Sequence, residues 1–322
     1  MSIRFGIVGT GYAAKVRAGA LAKEARSTPL LVCGHKNTLA FADAHGLEAT
    51  DCWQDLVCDA SIDAVVVANV SSLHGAVTEA ALRAGKHVVV EYPLSLNIAQ
   101  AQRLLVLAAD CNLLLHVEHI ELLGGLHVAM RESLSRIGRP GYVNYRTLNP
   151  QHPAPVKWTY RQDLFGFPFC GALSRVHRLT SLFGRVEAVT CCTQIERSET
   201  DAAYFKSILS SGRLQFETGV IAELTYGKGE NLWGYCREIE VQGSKGALSF
   251  WGNKGMLTTA EGEEAIAVTP RRGLFVQDTK RVLDYLTEGT PLYVSAEESV
   301  YALKVGDALR RASISGETVR IA

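Results

Sequence analysis

Apolar residues follow two different rhythms along this chain, and the change comes near residue 125. Before it, short runs that are apolar on both faces (Ile3–Val8, 30–33, 64–68, 87–91 and 113–119) alternate with stretches of helical period at 13–25, 39–45, 74–84 and 98–111. Strands that are apolar on both sides, each followed by a helix, predict a doubly wound parallel sheet covered on both faces. Beyond residue 125 a helix is expected at 127–135, ended by Gly138-Arg139-Pro140-Gly141, and then the period becomes two. Alternating runs at 142–148, 185–195, 207–217, 220–226, 238–241, 247–251 and 265–269 are parted by Gly212, Gly219, Gly243, Gly246, Gly252 and Gly255. They predict a large open, mostly antiparallel sheet. Two helices, at 275–287 and 297–311, close the chain. The expected fold class is α/β: a doubly wound parallel domain over residues 1–122, then an α+β domain over 123–322 that includes the C-terminal helices.

The first strand runs directly into Gly9-Thr10-Gly11-Tyr12-Ala13-Ala14 and then a helix, the context a G-x-G-x-x-A dinucleotide fingerprint requires. Gly9 suits the tight turn, Gly11 lets the backbone approach a pyrophosphate, and Ala14 lets the helix lie close to the sheet. Thr10, Tyr12 and Ala13 complete the loop. The helix N-terminus offers free N–H groups and a positive dipole end to the phosphates. The first domain is therefore expected to be a Rossmann domain. The end of the second strand selects the dinucleotide. An acid there would accept from the ribose 2′-hydroxyl of NAD, but the residues are Cys33-Gly34-His35-Lys36-Asn37. Lys36, helped by His35, would attract a 2′-phosphate, so NADPH is the expected cofactor, with NADH possible but weaker. The alternative is that Lys36 is a solvated loop lysine.

Composition narrows the partners. Lysine plus arginine and aspartate plus glutamate number 33 each, and that balance argues against nucleic acid or a polybasic membrane-surface protein. No apolar run nears the roughly 20 residues that cross a bilayer. Met1-Ser2-Ile3 enters a strand at once and leaves no signal peptide, so no membrane and a cytoplasmic location are expected. The eight cysteines form no Cys-x-x-Cys pair, and the nine histidines show no helical pair of ligand spacing; His116 and His119 read on a strand. Reduced thiols and no metal are expected.

From residue 63 onward, longer motifs stand out. Asp63-Ala64-Val65-Val66-Val67-Ala68-Asn69, Leu73-His74, Ala81-Leu82-Arg83-Ala84-Gly85-Lys86-His87-Val88 and Glu91-Tyr92-Pro93-Leu94 resemble the glucose–fructose oxidoreductase and inositol dehydrogenase superfamily. The resemblance covers essentially the whole chain. It implies that Asn69, Ser71 and His74, with Glu91 and Tyr92, lie along the nicotinamide half of the cofactor. The departures are as informative as the matches. Sugar-oxidising members carry Glu-Lys-Pro, whose lysine is Tyr92 here. They also carry Asp-x-Gly-x-His-x-x-Asp, which aligns over 170–177 and places Cys170, Ser174 and His177 at the Asp, His and final Asp positions. Oxidising an alcohol needs a group to take its hydroxyl proton, and two usual members of that apparatus are missing. This combination, with His116–Gly125, Phe165-Gly166-Phe167-Pro168 and Arg271-Arg272-Gly273-Leu274-Phe275 followed by Asp278-Thr279, resembles the branch that reduces the C10 methine bridge of a linear tetrapyrrole.

A flat, conjugated tetrapyrrole with two propionates calls for a wide apolar site with cations. The second domain offers Arg161, Arg175, Arg178 and Lys228, with Phe167 as a flat wall, although any one of these could equally be a surface cation or a core aromatic. Arg175 stands apart because segment 171–178 is the one that carries the catalytic motif in the sugar enzymes. It is the expected catalytic residue, stabilising charge on a pyrrole nitrogen. Tyr92 is expected beside the nicotinamide as wall or proton relay, and Glu91 as a group that positions cofactor amides. Glu118 and His119 end the last parallel strand and are expected at the substrate, His119 being alternatively a satisfied structural histidine. A small-molecule substrate and a monomer or small homo-oligomer complete the picture. Two other functions stay open: an NADP-dependent dehydrogenase of a sugar, inositol or diol, and a non-catalytic NADP(H)-binding sensor.

Overall fold

The computed structural model describes residues 2–321. The chain begins with β1 (Ile3–Val8), α1 (Tyr12–Leu21), β2 (Ser27–Cys33), α2 (Thr38–His45), β3 (Glu48–Thr50), α3 (Trp53–Cys58), β4 (Ala64–Val67), α4 (Ser71–Arg83), β5 (His87–Val90), α5 (Ile98–Asp110) and β6 (Leu115–Val117). The strands form one parallel sheet of six in the order β3-β2-β1-β4-β5-β6. All of β4 is buried, as is most of β5, which is why both read as unbroken apolar runs. The strand order reverses between β1 and β4, the position where doubly wound sheets hold ligands. The sequence pattern did not announce β3 or α3. Glu48 and Ala49 of β3 are exposed, so no apolar run marks this short edge strand.

The chain continues through α6 (Gly125–Ser133), β7 (Pro140–Pro150), α7 (Gln162–Phe165), α8 (Pro168–Gly171), α9 (Ser174–Phe183), β8 (Val186–Arg197), β9 (Phe205–Phe216), β10 (Ile221–Gly229), β11 (Cys236–Gly243), β12 (Gly246–Trp251), β13 (Lys254–Thr259), β14 (Gly262–Ala267), α10 (Leu274–Glu288), α11 (Ala296–Ser315) and β15 (Val319–Arg320). Nine strands form a second sheet in the order β14-β13-β12-β11-β7-β10-β9-β8-β15, antiparallel except where β10 meets β7. Along β9, Gly212, Leu214 and Phe216 are buried while Ser211, Arg213 and Gln215 are exposed, so one face is covered and the other open. Strand β13 carried no sequence signal because Gly255 occupies an inward position, packed under the Phe250 ring, where a side chain would have marked the period.

Two compact units result. One holds the chain through Leu123 together with Gly273–Val300; the other holds Gly124–Arg272 and the chain from Tyr301 onward. The expected second domain of 123–322 therefore loses α10 and the first turn of α11, while the chain from Tyr301 stays in it. Val282 and Leu283 of α10 share a core with Phe5, Ile7, Ala14, Ala18, Leu21 and Val66, so α10 belongs with the parallel sheet. Its apolar stripe buries against α1, a pairing that local periodicity cannot foretell. No described helix is long and apolar enough to cross a membrane.

Candidate active site

At the end of β1 the chain turns through Gly9 at φ +128°, and a Cβ there would lie 2.3 Å from the Ala68 carbonyl oxygen beyond β4. Dihedral and close approach both demand glycine. Gly11 is the opposite case, since a Cβ there would meet nothing within 4 Å. It caps the ten-residue α1 without any side-chain hydrogen bond, so the first amide N–H groups of the helix keep their capacity for an anion. Thr10 Oγ1 donates to the Lys36 carbonyl at 3.0 Å and ties this turn to the loop after β2, where His35 and Lys36 are exposed. Ala13 packs on the core, while Tyr12 is exposed and sets its ring edge against Phe275.

The neighbouring strand ends continue the surface. His74 spans two carbonyls, with Nδ1 2.8 Å from Pro93 O and Nε2 3.2 Å from Asn69 O. Burial holds its pKa below the ordinary histidine value, so the ring is neutral at pH 7 and its one N–H suits the shorter contact. His74 thereby fixes the Asn69 turn, and with it the buried Ser71 that opens α4, against Tyr92-Pro93. Asn69 Oδ1 is buried and has no hydrogen-bond partner among the described residues. A buried acceptor of this kind wants a donor. With the bare helix end at Gly11, it fits a nicotinamide dinucleotide laid across these strand ends.

Behind Glu91 lies an ionic cluster. Arg17 of α1 points inward and places Nε 2.7 Å from Glu91 and Nη1 2.7 Å from Asp278 of α10. The other Asp278 oxygen receives His116 Nε2 and the Tyr293 hydroxyl, both at 2.7 Å. Burial alone would raise the Asp278 pKa, but Arg17 and His116 outweigh it and hold the carboxyl below its usual range. Glu118 is 1% exposed and accepts the Ile120 N–H at 2.5 Å. Burial pushes its pKa well above the usual glutamate value, and the nearby Glu91 and Asp278 carboxyls push it further. His119 bonds Ser299 Oγ through Nε2 at 2.8 Å, donates its backbone N–H to the Tyr293 hydroxyl oxygen at 3.2 Å, and stacks on the half-buried Tyr92 ring at 5.2 Å between centroids.

The second unit holds a separate group of cations. Arg175 is half-buried in the first turn of α9, where it donates to Ser174 Oγ at 3.1 Å and lies 5.2 Å over the Tyr226 ring. The positive end of the helix dipole disfavours a cation there, so the position is not one that helix stability selects. One turn on, Arg178 donates to the Tyr145 hydroxyl at 2.6 Å and is 1% exposed. Lys228 of β10 is 5% exposed and donates to the Thr159 carbonyl. Its ammonium lies 3.9, 4.7 and 5.2 Å from the ring centres of Phe165, Tyr160 and Phe205. Burial and the Arg175 charge lower the Lys228 pKa to about 7.

Several expectations for the substrate residues change. Glu118, Arg178 and Lys228 are embedded in the fold rather than presented at a surface, and of the two readings of His119 the geometry favours the structural one. Arg161 forms a fork with Asp163, Nη2 to Oδ2 at 2.6 Å and Nε to Oδ1 at 3.1 Å, so its charge is already matched. Phe167 is buried edge-to-face against Phe169. Sequence reasoning missed the cluster of Arg17, His116, Asp278 and Tyr293. A signal existed, since Arg17 falls in the buried stripe Ala14, Ala18, Leu21 where helical spacing calls for an apolar residue.

A glycine turn and a bare helix end at the reversal point of a parallel sheet, joined in one chain to a large open sheet, define a two-domain nicotinamide-dependent oxidoreductase. Residues 3–119 match the model of the oxidoreductase family's NAD-binding Rossmann fold, and residues 131–321 match that of its C-terminal alpha/beta domain; the chain belongs to this GFO/IDH/MocA oxidoreductase family. A crystal structure of biliverdin reductase from Synechocystis sp. PCC 6803, in complex with biliverdin and NADP+, is 47% identical over 96% of this chain and 98% of that one, with a TM-score of 0.95. Biliverdin reductase A of Mus musculus is 30% identical over 204 residues, a match that spans 61% of this chain and 64% of the mouse protein's length. Inositol 2-dehydrogenase of Rhizobium meliloti is 24% identical over the full length of both chains.

Proposed function

We propose that this chain catalyses the NADPH-dependent reduction of biliverdin at its C10 methine bridge to give bilirubin. The observation that carries the reading is the 47% identity, over 96% of the chain, to an enzyme whose structure holds both biliverdin and NADP+. Bound NADPH supplies the hydride. In this reading Gly9, Thr10, Gly11, Tyr12 and Ala13 hold the pyrophosphate through backbone N–H groups and the helix end. His35 and Lys36 pair with the 2′-phosphate. Asn69, Ser71, His74 and Glu91 orient the nicotinamide, and Tyr92 walls it.

Reduction at C10 drives electron density onto a pyrrole nitrogen. The Arg175 guanidinium stabilises that charge and orients the water that delivers the proton, because arginine itself holds its proton too tightly to give it up near neutral pH. The loss of the sugar enzymes' apparatus supports the same reading, since Tyr92 and Ser174 stand where a lysine and a histidine would serve an alcohol. The test is to mix protein, NADPH and biliverdin and follow the long-wavelength green absorbance as it gives way to the yellow of bilirubin. A parallel assay with NADP+ and inositol, glucose or simple diols is expected to show no reduction of NADP+. Turnover of those alcohols at neutral pH without any change in biliverdin would sink the proposal in favour of a polyol dehydrogenase.

A further inference from the structure

Glu91 and Glu118 leave adjacent parallel strands at the same level, and the Glu118 N–H donates to Val90 O at 2.8 Å. The register thus sets two glutamates side by side on neighbouring strand ends, with Glu118 wholly buried. Two ionised carboxylates this close and this far from water repel, so one member of such a pair carries a proton. Glu91 is the anionic member, because it takes Arg17 Nε at 2.7 Å. The single charge of Arg17 is already divided between Glu91 and Asp278, and Asp278 is further satisfied by His116 and Tyr293. Arg17 also acts on Glu118, so a single guanidinium on α1 faces three carboxyl groups, those of Glu91, Glu118 and, on α10, Asp278, with Tyr293 and His116 beside them.

We propose that Glu118 is a neutral, proton-carrying acid that holds the Glu91 carboxylate in place for the nicotinamide end of the cofactor. The inference rests on the reading of Glu91 as a cofactor contact. Glu118 is a positioning residue in this account. Its O–H donates to the Glu91 carboxylate while Arg17 Nε donates to Glu91 Oε1, and its own second oxygen accepts the Ile120 N–H. Loss of the Glu118 proton replaces an attraction by repulsion between two buried carboxylates. The position of Glu91, and the affinity for NADPH, therefore follow the protonation of a residue that touches neither substrate nor cofactor.

The test uses the whole chain without bilin. Infrared difference spectra of wild type against Glu118→Gln, taken at pH 7 without NADPH, are expected to show the C=O stretch of a protonated carboxylic acid in the wild type alone. NADPH affinity, followed by fluorescence titration as pH rises, is expected to hold while that band persists and to fall about tenfold where it is lost. Glu118→Gln, whose amide N–H2 still donates to Glu91, is expected to bind NADPH with a flat pH profile. Glu118→Leu, which cannot donate, should bind about tenfold more weakly at every pH; if it does not fold, the flat profile of Glu118→Gln decides. Absence of the acid band at pH 7 overturns the proposal, and so does a folded Glu118→Leu variant with wild-type affinity. If the band is present but Glu91→Ala binds NADPH normally, the positioning role is overturned through the failure of the cofactor reading, while the stored proton stands.

Discussion

The two units hold their buried cations in opposite ways. In the parallel-sheet unit Arg17 is placed between two carboxylates, and each further polar atom around Asp278 comes from a directed donor. In the open-sheet unit Lys228 has no carboxylate within ion-pair distance among the described residues; three aromatic ring faces and one carbonyl surround it. Arg175 and Arg178 lie over tyrosine rings in addition to their other contacts. A buried cation matched by carboxylates is electrostatically closed and is strongly destabilised if one partner is removed. A cation held against ring faces keeps its field and can act on an anion that arrives, or on charge that develops. The first arrangement matches charge with charge inside the parallel-sheet unit. The second leaves the Lys228 ammonium facing rings and a carbonyl instead of a carboxylate.

The largest effect expected from this contrast is on stability, in the closed cluster. Arg17→Met removes the cation that bridges Glu91 and Asp278 and should lower the unfolding free energy by about 3–5 kcal/mol, read from urea denaturation. Asp278→Leu added to it should recover part of that loss, since both charges are then gone. A loss below about 1 kcal/mol for the single variant would mean the cluster is not charge-compensated in the way its geometry indicates.

Arg175→Ala should behave in the reverse sense, with stability kept and turnover lost. Removing a preorganised donor costs about 2.7–4 kcal/mol in the transition state, so kcat for biliverdin should fall roughly two to three orders of magnitude. NADPH binding should hardly change. The folded state should gain slightly if anything, because a cation leaves the positive end of α9. Arg175→Lys should recover little, since a point charge does not reproduce a planar fork. Retention of more than about a third of kcat, a difference under roughly 1 kcal/mol, would end the catalytic assignment and turn attention to Tyr92.

A smaller change is expected at the exposed edge of the cofactor surface. Lys36→Ala should weaken NADPH by on the order of tenfold and leave NADH almost unaltered, measured as the two Kd values. The gap should also narrow with added salt in the wild type, because the contact is solvent-exposed. A wild-type preference for NADH would show that the loop after β2 has been misread.

What the chain's rhythm made legible is what depends on neighbours in sequence. Gly9 and Gly11 announce the phosphate turn because a left-handed turn and an uncapped helix end are local demands. Strands β4 and β5 announce themselves because both their faces are covered. The ion cluster was hidden for the opposite reason. Arg17 meets Asp278 across 261 residues (278 − 17), and nothing near either residue marks the pairing. The place of α10 was hidden likewise, since its apolar stripe would suit either core. Lys228 was singled out as a cation, but its burial was hidden because Tyr226–Gly229 is buried on both faces, so the alternation that would have marked it as inward-facing is absent just there.

Lys228 offers the finest test of the contrast, because its environment leaves a signature in pH. In the unfolded chain a lysine titrates near 10.4, whereas burial and the Arg175 charge bring it to about 7 in the fold. Between those values the unfolded chain binds a proton that the folded chain does not, so stability rises with pH, and below the folded value the penalty is complete. Lys228→Met keeps the length and apolar stem of the side chain and removes the titration. From pH 7 to pH 8 the wild type should therefore gain about 1 kcal/mol relative to the variant, measured as the difference between their urea unfolding free energies. At pH 6 the variant should be the more stable protein. A difference that stays flat from pH 6 to 9 would mean that Lys228 carries its charge at no cost. In that case an anionic group must already neutralise it in the fold, and the open-sheet unit would be as electrostatically closed as the parallel one.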